Sequence, residues 1–262
     1  MDLQLTGKVV MVAAASTGLG FGIAQQLARE GAVVSMASRT SADIEKAAQQ
    51  LRQETPAEVF ATTFDATDPV SITDWTAQTL RQYDRIDGLV TNAGGPPVGN
   101  FDDFDDKAWE SAFQLTLMSV VRLIRSVLPS MREHNGGSIL TLTSTSIKVP
   151  IDNLLLSNVM RSGVASLAKS LSRQLGPEGI RVNNLVPGRI ATARVEALDA
   201  AAAKQVGITP VEQRHRMESA IPVRRYGTIN EFGAAAAFLL SPVSSYITGA
   251  TLTVDGGMLQ TI

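Results

Sequence analysis

The residues best placed to do chemistry sit at turns that follow short, β-branched runs. After the run Lys8–Ala13 the chain reads Ala13-Ala14-Ala15-Ser16-Thr17-Gly18-Leu19-Gly20 and then turns helical. Small residues at a strand-to-helix turn let backbone N–H groups face a pyrophosphate, with the positive end of the helix behind them. Gly18 and Gly20 permit close backbone approach and tight helix packing. At the end of the next strand stand Ser38-Arg39-Thr40. An acidic residue there would bind a ribose 2′-OH, whereas a guanidinium suits a 2′-phosphate, so Arg39 points to NADP over NAD. Asp65 and Ala66 follow the third strand, where an adenine edge would lie. Asn92-Ala93-Gly94-Gly95 follows the fourth and is placed to run along an adenosine ribose. Each signal is weak alone. What joins them is their common position at strand carboxyl ends, along which a dinucleotide lies.

Composition narrows the remaining chemistry. The chain has 262 residues, 44% of them hydrophobic and 18% charged, which is enough for a sizeable core and too little charge for disorder. It has no cysteine, which removes disulfides, thiolate metal sites and cysteine nucleophiles together. Only His134 and His215 are present, so no metal site is expected. A net charge of −2 argues against broad nucleic-acid or anionic-membrane binding. The segment Met1–Lys8 is short and polar, and uninterrupted apolar runs such as Ala234–Leu240 are far below the ~20 residues of a membrane span. The expectation is a soluble cytoplasmic protein acting on a small molecule. Tyrosine is scarce, with Tyr83, Tyr226 and Tyr246 only.

These residues are held by alternating strands and helices. Strands are expected at Lys8–Ala13, Val33–Ala37, Glu58–Thr63, Ile86–Thr91, Ser138–Thr143, Arg181–Val186 and Ala250–Val254. Between them run helical patterns over Gly20–Glu30, from Thr40 to about Thr55, from Asp68-Pro69 to about Tyr83, Ala108–Arg132, Ser157–Leu175 and from Thr228 to about Leu240. Thr40 with Asp43, and Thr228 with Glu231, read as capping boxes, and Asp68-Pro69 as an N-cap followed by N1 proline. Strands alternating with helices imply an α/β fold: a doubly wound parallel sheet in three layers, here one domain over residues 1–262. The strands are near-continuously apolar, as in strands buried on both faces. Arg189–Pro222 breaks the rhythm, with helical patterns at Ala193–Val206 and after Thr209-Pro210. It follows a strand's carboxyl end and reads as a mobile lid or as a helical excursion that packs on a neighbouring subunit.

Together these features resemble the short-chain dehydrogenase/reductase family, in its 3-oxoacyl-[acyl-carrier-protein] reductase-like branch, from Lys8 to Gly257. Thr91-Asn92-Ala93-Gly94 resembles the family's Asn-Asn-Ala-Gly. Arg181-Val182-Asn183-Asn184-Leu185-Val186-Pro187-Gly188 resembles its Pro-Gly strand end. Ile190 and Thr192 fall where family members contact the nicotinamide carboxamide and phosphate. Further matches are Ile221-Pro222-Val223-Arg224-Arg225-Tyr226-Gly227, Phe238-Leu239-Leu240-Ser241, Ile247-Thr248-Gly249 and Val254-Asp255-Gly256-Gly257. The resemblance implies a Rossmann fold, a nicotinamide dinucleotide and association into a homotetramer or homodimer. The apolar tail Met258–Ile262 suits a subunit contact or frays.

It also implies a catalytic tetrad, and there the sequence departs. The match of Arg161-Ser162-Gly163-Val164 to the family's Lys-Ala-Gly-Val puts Ser157 at the tyrosine position and Arg161 at the lysine position. Ser144 then occupies the serine position, and Trp109 sets a register that puts Thr116 at the asparagine position. Only Ser144 keeps its family type. In the phosphate turn Ala14 replaces the first glycine and Ala13 the usual threonine. Ser157 and Arg161 share a helix face at i and i+4, so the geometry of a catalytic pair survives. A serine hydroxyl is a far weaker acid than tyrosine, and arginine keeps its proton. Tyr83, Tyr226, Tyr246, His215, Lys148 and Asp152 are the substitutes to examine; His134 reads as a solvated turn residue. Two readings stand: a reductase with a modified mechanism, in which Ser157 or water passes the proton, and a non-catalytic dinucleotide-binding or scaffolding protein.

Overall fold

In the computed structural model seven parallel strands lie in the order β3-β2-β1-β4-β5-β6-β7. They are β1 Val9–Ala13, β2 Val33–Ser38, β3 Val59–Thr63, β4 Gly88–Thr91, β5 Gly137–Leu142, β6 Ile180–Pro187 and β7 Thr251–Val254. The structure describes residues 1–261, so the last residue of the apolar tail, Ile262, lies outside the described residues. The order reverses between β1 and β4, which opens a crevice at their carboxyl ends.

The helices are α1 Gly18–Arg29, α2 Ser41–Glu54, α3 Pro69–Tyr83, α4 Asp106–Phe113, α5 Ser119–Glu133, α6 Leu155–Leu175, α7 Ala193–Val206, α8 Pro210–Ala220 and α9 Ile229–Leu240. One sheet face carries Val10, Val12, Val34, Met36, Leu140 and Leu185 against α1, α2 and α9. The other carries Met11, Leu89, Ile139 and Val182 against α3, α5 and α6. Alternate residues of one strand thus enter two different cores, which is why the central strands lack a polar period. The edge strand β7 departs from that expectation, because Thr251 and Leu252 are exposed. Helices α1 and α9 touch backbone to backbone: a Cβ on Gly22 would stand 2.5 Å from the Ile229 carbonyl oxygen.

Start signals divide into those the structure uses and one it does not. Asp68 caps α3 by accepting from Val70 N at 2.9 Å, with Pro69 next, and Thr228 with Glu231 closes a full capping box on α9. Thr40 does occupy the N-cap of α2, but its side chain makes no capping bond, so the expected Thr40–Asp43 box is absent. The helix expected at Ala108–Arg132 begins at Asp106, capped by Asp105, and is interrupted by a π-turn over Gln114–Met118. The whole run Asp106–Glu133 is long and apolar enough to cross a membrane by length and composition, which uninterrupted apolar runs did not reveal. Its apolar side, Val120, Leu123, Ile124, Val127 and Met131, is buried in the core.

Candidate functional site

The crevice at the β1/β4 reversal is built by the turn after β1. Ala14 takes a left-handed conformation with φ 49°, and Gly18 another with φ 60°. Ala15 N donates to the Ala37 carbonyl at 3.1 Å, which ties the turn to β2. Gly20 packs so closely under Ala14 that any Cβ would collide with its carbonyl. Thr17 stands at the N-cap of α1 without a side-chain capping bond. The first-turn N–H groups are therefore left for a ligand's oxygen atoms. Asn92 Nδ2 donates to the Ala14 carbonyl at 3.3 Å, so its amide braces the turn. A Cβ on Gly94 would meet nothing within 4 Å, so the segment beside it borders open space.

Around this turn the other expected residues take their places. Arg39 is exposed beyond β2 and forms no ion pair among the described residues. Asp65 accepts from Thr67 N and Thr67 Oγ1, both at 2.8 Å; those bonds hold its carboxyl below the usual range, with the Arg39 charge adding to them. Ala66 is buried beside it. Pro187 ends β6, Gly188 N donates to the Val254 carbonyl at 2.9 Å, and Ile190 is buried. Thr192 caps α7 through Val195 N at 3.3 Å, and its Cγ2 faces the turn, 3.6 Å from where a Gly18 Cβ would stand.

A second group gathers at the carboxyl end of β5. Ser157 is buried on α6, and its Oγ accepts from Arg161 Nε at 3.1 Å. Arg161 Nη1 donates to the Leu142 carbonyl at 3.2 Å and to the Thr143 carbonyl at 3.4 Å. Burial pulls the Arg161 guanidinium down to about 10, and the positive charge of Arg194 pushes the same way. It still carries its proton at neutral pH. Ser144, one residue on from Thr143, caps a single 3-10 turn by accepting from Ser146 N at 3.2 Å. Thr116 lies inside the π-turn, buried, with its hydroxyl unpaired. Such turns recur at functional sites because they aim side chains away from the regular helical ladder. The π-turn packs on α6, with Leu117 at 3.4 Å from a Cβ on Gly163.

Among the described residues no tyrosine joins this group by hydrogen bonding. Tyr226 OH donates to Asp199 Oδ2 at 2.7 Å, and burial followed by that bond pushes its pKa well up, so it stays a donor. Tyr83 OH accepts from Gln82 Nε2 at 3.0 Å at the end of α3, and Tyr246 is wholly exposed. His215, Lys148 and Asp152 are exposed. His134 closes α5, its Nδ1 2.9 Å from the Ser130 carbonyl oxygen.

Two arrangements went unseen in the sequence. Asp199 is buried between Arg189 Nη1 at 2.6 Å and Tyr226 OH, with the Arg214 guanidinium 5.0 Å from the Tyr226 ring centre. The signal was an acid, Asp199, beside the run of alanines in α7, a helix that also carries Glu196. Arg194 extends over Gly95, its Nη2 3.0 Å from where a Cβ would be. A cation in a helix's first turn runs against the dipole preference, and that was the available clue.

With this geometry in view, comparison with known proteins defines the class. The chain matches, over residues 13–259, the family described as Enoyl-(Acyl carrier protein) reductase. It is 30% identical over 256 residues to dehydrogenase/reductase SDR family member 4 of Homo sapiens, covering 97% of this chain and 88% of that protein. The chain belongs to the short-chain dehydrogenase/reductase family. Among solved structures it superposes on L-sorbose reductase from Gluconobacter frateurii, complexed with NADPH and L-sorbose, with a TM-score of 0.95 and 27% identity over 100% of both chains. Actinorhodin polyketide ketoreductase with NADPH gives 0.93 and 27% identity over 97% of this chain and 98% of that one.

Proposed function

We propose that this protein is an NADP-dependent reductase of a small carbonyl compound, working with an altered proton donor. The observation that carries the reading is the placement of Ser157 and Arg161. Helix α6 delivers both to the carboxyl end of β5, where Arg161 takes two backbone carbonyls as well as Ser157 Oγ. The crevice fits a dinucleotide, because the uncapped turn of α1 offers N–H groups to a pyrophosphate and Arg39 stands free for a 2′-phosphate. Ser16, Thr17, Gly18, Leu19 and Gly20 would line the pyrophosphate. Asp65, Ala66, Asn92, Ala93 and Gly94 would face the adenosine half, and Pro187, Gly188, Ile190 and Thr192 the nicotinamide half. When bound, the dinucleotide supplies the hydride. NADPH in the solved relatives supports this choice of cofactor.

The chain's own groups handle the oxygen. Ser144 Oγ already accepts from Ser146 N and keeps its proton to donate to a substrate carbonyl. Ser157 Oγ accepts from Arg161, so its hydroxyl hydrogen is likewise directed away from the guanidinium. Arg161 supplies positive charge and N–H groups for ribose hydroxyls. It does not relay protons, since even at about 10 its pKa leaves it charged. The proton passes from Ser157 or from water held beside it, with the Thr116 hydroxyl free to take part. Losing a positioned general acid costs about 10²–10⁴ in rate.

The same observation favours a second reading, a dinucleotide-binding protein without turnover, because no group in the site titrates near neutrality with a proton to give. Titration with NADPH and NADH by nicotinamide fluorescence, followed by assay on a carbonyl panel, separates them. Binding with turnover supports the reductase and binding without turnover the second reading. Failure to bind either dinucleotide defeats both.

A further inference from the structure

Two arginines stand beyond the carboxyl ends of adjacent strands. Arg161 lies at the exit of β5, bound to the carbonyls of Leu142 and Thr143. Arg194 lies over Gly95, beyond the exit of β4. The two strands are hydrogen-bonded neighbours, Thr91 pairing with Thr141. The charges are close enough for Arg194 to ease the loss of Arg161's proton. Neither arginine belongs to any of the ion pairs among the described residues.

Arg194 is also the second residue of α7, where a cation opposes the helix dipole. Two like charges, one of them desolvated, repel unless an anion joins them. The dinucleotide's anions have other donors: the α1 turn with Thr192 across from it, and Arg39. The loops leaving β4 and β5 expose Val98, Phe101, Val149 and Ile151, which suits the apolar body of a substrate.

We propose that Arg194 holds a carboxylate of the substrate, with the Arg161 charge adding to the field, so that the site takes oxo acids in preference to neutral carbonyl compounds. This rests on the dinucleotide-dependent reading above. The other source of the same anionic chemistry is the dinucleotide pyrophosphate, and the test separates the two.

Protein with and without saturating NADP⁺ is titrated calorimetrically with 2-oxobutanoate, 2-oxohexanoate and 2-oxo-4-phenylbutanoate, each beside its ethyl ester. At least one acid is expected to bind about tenfold or more tighter than its ester, the worth of one charge-assisted contact. Arg194→Met removes that preference, Arg194→Lys keeps part of it, and NADPH affinity, read by fluorescence, moves less than about twofold. If no acid outbinds its ester, or if the preference survives Arg194→Met, the proposal is overturned. It is equally overturned if Arg194→Met chiefly weakens NADPH, since the anion is then the pyrophosphate. Absence of NADPH binding in the unmodified protein defeats the dinucleotide reading, while the acid-to-ester ratio without dinucleotide still decides the charge claim.

Discussion

Arg161 Nε sits 3.1 Å from Ser157 Oγ, one helical turn away on α6, and the same guanidinium reaches back to the Leu142 carbonyl at 3.2 Å. The side chain is thus pinned at both ends, with its charge fixed against the hydroxyl. That arrangement stabilises negative charge on Ser157 Oγ. It does not supply an acid that titrates near neutral pH.

Placing a tyrosine and a lysine at these two positions is expected to supply that acid. Ser157→Tyr combined with Arg161→Lys should raise carbonyl reduction by about 10²–10⁴ over the unmodified protein, measured as NADPH consumption on one substrate. A lysine beside the new phenol lowers its pKa, which arginine, held by two carbonyls, does poorly. Equal turnover by the two proteins would show that the existing site already has an efficient proton donor.

The turn at Ala14 makes a second expectation. Alanine at φ 49° carries the steric cost of a left-handed residue, roughly 1 kcal/mol. Ala14→Gly should relieve it, less the roughly 0.4–1 kcal/mol of entropy that glycine adds to the unfolded chain, and raise Tm by up to about 2 °C. Calorimetric melting of the two proteins decides the matter, and a lower Tm in the variant refutes it.

These two sites show what could and could not be seen in the residues alone. The sheet was legible because its strands are short, apolar and bounded by Gly, Pro and Asp. The Ser157–Arg161 contact was legible because helical spacing fixes i and i+4 on one face. Thr40 misled, since a capping sequence states a possibility that the local backbone need not use. The π-turn around Thr116 left no mark in the composition. Asp199 and Arg194 act through partners ten or more residues away or in other elements, and periodicity carries no information about such pairs.

Selectivity between the two dinucleotides should depend on Arg39. It is exposed at the end of β2 with no ion pair among the described residues, so its charge is available to a 2′-phosphate. Arg39→Ala should weaken NADPH by about tenfold and NADH by less than twofold, the loss of one charge-assisted contact. Equal weakening in parallel fluorescence titrations would remove the assignment.

Acid stability should carry the imprint of Asp87, at the end of the sheet opposite the site. Burial pushes its carboxyl up, but Arg85, the Val9 N–H and Lys8 together prevail and hold it below the usual range. Its bonds to Arg85 Nε and Val9 N are both 2.9 Å. A carboxylate whose folded pKa is depressed contributes stability above its unfolded value of about 3.9, and that contribution fades as pH falls through the folded value. Urea midpoints should therefore drop below about pH 4, and Asp87→Asn should flatten that drop while lowering stability at neutral pH. An unchanged acid slope in the variant would place the effect on other carboxylates.

The helical excursion α7–α8 should depend on Tyr226 more than on its own packing. Across the two helices only Asp199, Ala203 and Gln213 are buried, so apolar burial anchors the excursion weakly. What ties it down is polar: Asp199 from α7 receives Arg189 from the end of β6 and Tyr226 from the segment before α9, while Arg214 of α8 lies against the Tyr226 ring. Tyr226→Phe keeps the ring and removes the hydroxyl, which leaves buried Asp199 Oδ2 short of a donor at a cost of about 1–3 kcal/mol. Because the loss falls on a junction and not on the sheet, it should appear locally. Hydrogen exchange is expected to speed up in amides of 193–220 by about tenfold or more, while β1, β4 and β5 keep their protection. Uniform acceleration across the sheet would mean that Tyr226 supports the whole core. No change at 193–220 would mean that Arg189 alone holds Asp199, and with it α7, in place.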